Sequence, residues 1–472
     1  MRKRTLTFCT LLLLSLAAMA AGRAKYVFYF IGDGMGVNHV NAAETYLAAI
    51  EGRIGISELC FSSFPYSAFV NTHSATNGVT DSAAAGTALA CGHKTANGTV
   101  GMLADLTTPV SNIAEWAREA GAAVGIATSV SIDHATPAAF YAHGPYRKKT
   151  YDIGQQLVNS GNDFYGGSDF VSPDNPKAGG PDLYQQAEEK GYVIAHGHED
   201  YQKKAQNADR MILLQTEEAN RKYRYAVPYA IDRKKGDMTL ADITRAAIHF
   251  LTKRQKEKDG FFIMAEGGKI DWACHANDLC FIKEVIDMDN AVKVAYEFYR
   301  QHPDETLIVV TADHETGGLV LGNKGYELHL DIAGHQRMSI ENLGKELKAM
   351  HEGGGKELTW EKVRQLLAEN FGFWKGVNLT DEQNSRLRKA FDNIAEGRGE
   401  SIESLYQKDD ELAVTVRQIQ AECAGVGWQT LSHSNGYVPC FAVGVGAEQF
   451  CGRIDNTEIC RKIAAAAGWT SQ

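Results

Sequence analysis

The sequence lacks a surplus of positive charge. Its 48 Lys and Arg stand against 58 Asp and Glu, a formal charge of −10 over 472 residues. Such a chain has no basic footprint for a phosphodiester backbone, which excludes nucleic acid as a partner. Taken alone, the same charge argues against any anionic substrate. The 46 glycines follow no strict period and no internal repeat occurs, which excludes collagen-like fibres and repeat arrays. No CxxC spacing occurs, so a cysteine zinc site is not expected. After the first twenty residues, no apolar run is long enough to span a membrane. With 44% hydrophobic and 22% charged residues, the chain is not a disordered one.

What is present begins with a leader. Arg2, Lys3 and Arg4 precede an apolar stretch from Leu11 to Ala18, and Ala18-Met19-Ala20 has the small-x-small form of a cleavage site. Residues 1–20 are predicted to be a signal peptide, removed near Ala20, with the product periplasmic or secreted. Losing Arg2, Lys3 and Arg4 would take the charge from −10 to −13. Eight of the nine cysteines follow Cys9, an even number compatible with pairing in an exported protein. The short interval between Cys451 and Cys460 suggests a disulfide there. Asn97-Gly98-Thr99 and Asn378-Leu379-Thr380 match the glycosylation acceptor pattern, which has meaning only in a eukaryotic source.

Apolar runs at Lys25–Ile31, Ala122–Thr128, Phe261–Ala265 and Thr306–Thr311 read as strands buried on both faces. Helical periodicity lies between them, as at Ser111–Ala120 and Thr239–Lys253. The alternation predicts α/β architecture: a three-layer α/β/α sandwich around a large, mostly parallel sheet. From about 340 to 425 the sequence is rich in Glu, Lys, Leu and Gln, with a capping box at Thr380-Asp381-Glu382-Gln383. A strand-like pattern resumes at Tyr437–Val445. The expected organisation is one catalytic domain, 21–472, with a mainly helical insertion at about 340–425.

Each predicted strand ends in residues able to bind metal or phosphate: Asp33 after the first, Ser131, Asp133, His134 and Thr136 after the second, Glu266 after the third, and Asp313-His314 after the fourth. Sites in open parallel sheets form at the carboxyl ends of strands. Singly, each has a plainer explanation; an Asp after a strand often only caps a helix. In EGGKIDWACH, Asp271 and His275 are four apart, one turn of a helix, a spacing that chelates a metal and suits zinc. Cys274 lies one position off that face and reads as packing or as a disulfide partner. Ser82 in TDSAAAGTA would stand at a helix N-terminus, where an alkoxide or a phosphate is stabilised; on local sequence alone it reads first as a cap. No histidine-based triad surrounds it, so a metal would have to activate its hydroxyl.

Six motifs, IGDGMG, TDSAAAGTA, HATPAAFYAHGPYR, EGGKIDWACH, TADHETGG and TLSHSNG, run in this order from residue 31 to 436. Together they resemble the alkaline phosphatase family. The resemblance implies one zinc held by Asp271, His275 and His433, and a second by Asp33, Asp313 and His314 with the Ser82 oxygen. It implies a third site of Asp33, Thr136 and Glu266, an oxygen set suited to magnesium. Arg147 would fork onto two phosphate oxygens. The implied activity is hydrolysis of small phosphate monoesters by a two-metal scheme through a phosphoserine on Ser82, whose phosphorus water then attacks. A homodimer is also implied. Where some members carry Asp and Lys, this chain has His134 and Trp272; imidazole beside the third site favours a softer ion there than magnesium.

Alternatives within the superfamily are a phosphodiesterase or a sulfatase, although the sulfatase motif CxPxR is absent. A catalytically silent zinc-binding protein is a further alternative, disfavoured by the intact Ser82 and Arg147. Three divalent ions would concentrate six positive charges beside Arg147, so the net acidity ceases to exclude a small phosphate ester.

Overall fold

A computed structural model describes residues 22–174, 180–223, 225–254, 258–352 and 358–470. The leader and its cleavage site lie outside them. Ten strands form the central sheet: β1 (Tyr26–Gly32), β2 (Tyr66–Asn71), β3 (Ala123–Thr128), β4 (Phe164–Gly167), β5 (Tyr192–His196), β6 (Arg210–Leu214), β7 (Phe261–Glu266), β8 (Thr306–Ala312), β9 (Val438–Gly444) and β10 (Gly452–Asp455). Their order is β10-β2-β9-β8-β1-β7-β3-β4-β6-β5. All pairings are parallel except the two made by β9.

The four sequence-predicted central strands become β1, β3, β7 and β8, each wholly buried. Continuous apolar sequence is what a strand covered on both faces requires. β1 shows the layering directly. The Phe28 ring meets Phe298 edge-on at 5.3–5.7 Å together with Phe261, while the adjacent Tyr29 hydroxyl donates to the Leu89 carbonyl at 3.4 Å. Successive side chains point to opposite faces, so helices cover both sides, as the predicted sandwich requires. The helices that matter below are α1 (Ser82–Cys91), α2 (Leu240–Thr252), α3 (Lys269–His275), α4 (Phe281–Gln301), α5 (Ile340–Glu352), α6 (Trp360–Asn370), α7 (Asp381–Ala395), α8 (Glu411–Ala424) and α9 (Asn456–Ala467).

Register places the chemistry. Ile31 lies opposite both Glu266 and Thr311, and Thr128 lies opposite Glu266. Asp33, Glu266 and Asp313 therefore leave the sheet at one level of its carboxyl edge. The reversed strand β9 begins at that same edge, with Phe441 opposite Val310. The segment just before it, His433–Ser434, pairs antiparallel with Glu315–Thr316. One antiparallel strand in an otherwise parallel sheet thus brings His433 beside His314.

The stretch at about 340–425 folds as four helices, α5 to α8, and a hairpin pairing Ser401–Glu403 with Lys408–Asp410. Its buried residues, among them Ile340, Leu343, Val363, Leu387 and Ile419, form an apolar cluster apart from the sheet's core. The capping box is present: Thr380 N–H donates to the Gln383 carboxamide at 3.0 Å, and Gln383 N–H to the Thr380 hydroxyl at 3.2 Å.

Some expectations need correction. The Cys451–Cys460 disulfide is not formed, and all eight cysteines after Cys9 are free thiols. Cys460 is buried on the inward face of α9, its sulfur against the Ala88 carbonyl, whereas Cys451 is exposed before β10. Cys274 is buried and unpaired, a packing residue. Five strands, β2, β4, β5, β6 and β10, were not anticipated. Four of them are short, glycine-bearing or half-exposed, so their apolar signal is weak, whereas β6 is apolar and buried beyond Arg210 but only five residues long, a run that periodicity does not separate from a buried helix segment. Among the described residues no helix is long and apolar enough to cross a membrane.

Candidate active site

Three clusters of potential ligands meet at the carboxyl edge. Asp271, His275 and His433 form one, Asp33, Asp313 and His314 a second, and Asp33, His134 and Glu266 a third; within each, the ligand atoms lie within 4.8 Å of one another. Asp33 is common to two. The side chains are buried apart from the partly exposed His134 and His433.

In the first cluster α3 sets Asp271 and His275 one turn apart, with His275 Nε2 3.3 Å from Asp271 Oδ1. His433 Nε2 lies 3.1 Å from His275 Nε2. The far ring nitrogens face backbone carbonyls: His275 Nδ1 that of Leu431 at 2.6 Å, His433 Nδ1 that of Thr80 at 2.8 Å. A carbonyl takes only an N–H, so each Nδ1 carries the proton and each Nε2 turns a lone pair inward, the arrangement of metal-binding histidine.

In the second cluster His314 Nε2 is 3.2 Å from Asp313 Oδ2, 3.4 Å from Asp33 Oδ1 and 3.3 Å from the Ser82 hydroxyl. Ser82 is the first residue of α1, and the cap is Asp81, which accepts from Ala84 N–H at 3.0 Å. The Ser82 oxygen is thereby left to face the cluster. In the third, His134 Nδ1 lies 3.5 Å from Glu266 Oε1, and Thr136 donates to Asp33 Oδ2 at 3.3 Å. Arg147 reaches in with one terminal nitrogen 3.0 Å from Asp81 Oδ2 and the other 3.2 Å from His134 Nε2. Trp272 is no ligand; its ring stacks on Tyr406 at 4.4 Å.

The electrostatics are those of a site built for cations. Asp33 Oδ1, Glu266 Oε1, Asp271 Oδ2, Asp313 Oδ2 and His134 Nδ1 are buried without a hydrogen-bond partner. Burial, reinforced by Asp313, Asp271 and Glu266, pushes the Asp33 carboxyl well up, and burial with Asp271 takes Asp313 up to about 8. Burial also raises Asp271, but the opposing influence of His275, with His433 and His314, outweighs it and holds that carboxyl well below its usual range. Burial and the neighbouring His433 depress His314 strongly. Buried carboxylates facing one another without partners cost several kcal/mol unless cations enter.

The comparisons with known proteins agree with this geometry. Residues 24–469 match the family model described as alkaline phosphatase. Alkaline phosphatase 3 of Bacillus subtilis is 30% identical over 459 residues, covering 94% of this chain and 88% of the relative. The chain belongs to the alkaline phosphatase family. The cold-active alkaline phosphatase of Shewanella sp. superposes with a TM-score of 0.78 at 27% identity, covering 94% of this chain and 99% of that one. That of Thermus thermophilus gives 0.77 at 28%, covering 96% and 93%. The enzyme is a phosphomonoesterase of this metal-dependent family.

All the sequence-predicted alkaline phosphatase site residues converge here: Asp33, Ser82, His134, Thr136, Arg147, Glu266, Asp271, Trp272, His275, Asp313, His314 and His433. Others were missed. The Thr316 hydroxyl donates to Asp271 Oδ1 at 2.6 Å and lies 3.2 Å from His314 Nδ1, tying two clusters together. Its spacing of two from His314 on an extended segment was the available signal. Thr128 donates to Glu266. Tyr406 carries no local signal at all; its hydroxyl reaches to 3.4 Å from His134 Nε2 and its ring lies 5.4 Å from that of His275.

Proposed function

We propose that the enzyme hydrolyses phosphate monoesters through a phosphoserine on Ser82, with two zinc ions and one further divalent ion. The observation that carries this is the set of five buried, unpartnered ligand atoms on Asp33, Glu266, Asp271, Asp313 and His134, converging on three clusters around Ser82. Asp271, His275 and His433 would hold one zinc, and Asp33, Asp313 and His314 the other. Asp33, Glu266 and Thr136 would hold magnesium, or, given His134, a softer ion. Bound there, the ions would neutralise the carboxylates, lower the pKa of a coordinated hydroxyl and stabilise charge on the attacking and leaving oxygens.

The chain's own groups do the rest. Ser82 Oγ gives up its proton and attacks phosphorus in line; the O–P bond forms as the ester P–O bond breaks, and the leaving alcohol takes a proton. Free N–H groups at the start of α1 and the guanidinium of Arg147 bind the non-bridging oxygens. Asp81 and His134 orient Arg147, each through one of its terminal nitrogens. Water then attacks the phosphoserine, releasing inorganic phosphate and restoring the Ser82 hydroxyl. The leader further supports an exported protein, and family membership supports a homodimer and a single catalytic domain with a helical insertion.

The test is acid quenching during turnover of an aryl phosphate, followed by peptide mass spectrometry. Phosphate is expected on Ser82, and Ser82→Ala should lower activity by on the order of 10³-fold or more. Prolonged chelation should abolish activity, with zinc plus magnesium restoring it. A Ser82→Ala enzyme with near wild-type turnover sinks the covalent mechanism. Faster hydrolysis of a diester or a sulfate ester sinks the monoesterase assignment.

A further inference from the structure

Beside the site lies a cavity of about 480 Å³. Its floor includes His275 and His433, and its outer wall is Glu403, Ser404 and Leu405 of the hairpin that projects from the helical segment. We propose that this hairpin forms the leaving-group subsite, and that it selects monoesters of alcohols that are uncharged or cationic over those whose alcohol portion is anionic. The inference rests on the proposed function, with the site of Asp271, His275 and His433 taken to lie on the leaving-group side of phosphorus, opposite Ser82.

The wall is chemically distinctive. Asn97 and Ser404 stand in the wall with their donors already used, the Asn97 amide N–H on the Val79 carbonyl at 3.0 Å and the Ser404 hydroxyl on the Gln407 carbonyl at 3.1 Å, and among the described residues no lysine or arginine lines the cavity. Glu403 is exposed and makes no ion pair among the described residues. Lys408, its cross-strand neighbour, lines a separate cavity within the helical segment. Glu403 therefore presents a negative charge to whatever extends from phosphorus on this side. An anionic leaving group meets it in an open cleft, where solvent screens the repulsion and leaves a modest discrimination against like charge.

The hairpin is held firmly enough to discriminate. Ser404 N–H donates to the Gln407 carbonyl at 2.8 Å across the turn. Gln407 binds Asp409, which pairs with the buried Arg417 at 2.8 Å. On the other side Tyr406 stacks on Trp272 of α3, interplanar angle 17°. Tyr406 is thus a positioning residue: it fixes the wall to the helix that carries Asp271 and His275.

The experiment compares kcat/KM for phosphocholine, whose alcohol is cationic, with that for 3-phosphoglycerate, whose alcohol portion is anionic. Glu403→Gln should lower the phosphocholine to 3-phosphoglycerate ratio about threefold, and Glu403→Lys about tenfold or more. Tyr406→Ala should erode the same ratio with Glu403 intact, and Tyr406→Phe, which keeps the stack, should restore it. A ratio unmoved in both Glu403 variants, with phosphoserine still trapped on Ser82, overturns the hairpin subsite alone. Failure to trap phosphoserine overturns the mechanism and the subsite with it.

Discussion

The sheet edge and the helical segment bury their side chains for opposite reasons. At the sheet edge, four carboxylates and four imidazoles crowd together, and five of their ligand atoms are buried without a hydrogen-bond partner. In the helical segment, Leu343, Val363, Leu387 and Ile419 pack as an apolar core. The first arrangement is costly until cations arrive; the second is favourable from the moment of folding. The two meet at the hairpin, where Tyr406 stacks on Trp272. Chemistry has been placed where stability is poor, and a separately stabilised element has been laid against it.

The sharpest way to break this contrast is Asp33→Asn. Asp33 belongs to two clusters, so activity should fall by on the order of 10³-fold or more. Its carboxyl is raised by burial and by three neighbouring carboxylates, so removing the charge should make the chelated protein more stable, by about 1–2 kcal/mol. Loss of activity together with a lower melting temperature in chelator would contradict the idea that this edge is strained.

Leu387→Ala tests the other side. Leu387 is fully buried on α7, and its truncation should cost about 2–5 kcal/mol. Calorimetry should show the loss, while turnover per folded molecule of a small aryl phosphate stays within about twofold. An equally large loss of turnover below the transition would show that the helical core and the site are not separable.

The effect confined to pH dependence concerns a buried acid behind the site. Burial, opposed by Arg233 and assisted by Asp287, takes Glu284 on α4 up to about 7 from 4.5. A raised carboxyl keeps its proton on folding while the unfolded chain loses it. The stability it contributes is complete below about pH 4.5 and is lost as pH rises to about 7, at about 1.4 kcal/mol per unit. Glu284→Gln should flatten urea-derived stability across that window; an unchanged pH slope refutes the assignment.

Much of this molecule was legible in its residues. The uninterrupted apolar runs of β1, β3, β7 and β8 betray themselves because a strand buried on both faces admits no polar alternation. Asp271 and His275 were readable as a pair because helical spacing is local. Short strands such as β4, with its two glycines, were not, since their burial comes from neighbours rather than from their own pattern. The supposed Cys451–Cys460 bridge failed for the same reason: closeness in sequence says nothing of which face of α9 a thiol occupies.

The sequence by itself determined the ligand types, their order along the chain and the strands that end in them. Only the tertiary structure decided how they meet. Parallel register levels Asp33, Glu266 and Asp313 at one edge, and the reversal of β9 delivers His433 to His314. The stack of Tyr406 on Trp272 joins residues 134 positions apart, across a helical segment that local periodicity could only describe as helical. Such contacts depend on the long-range closure of the fold, which no window of sequence contains.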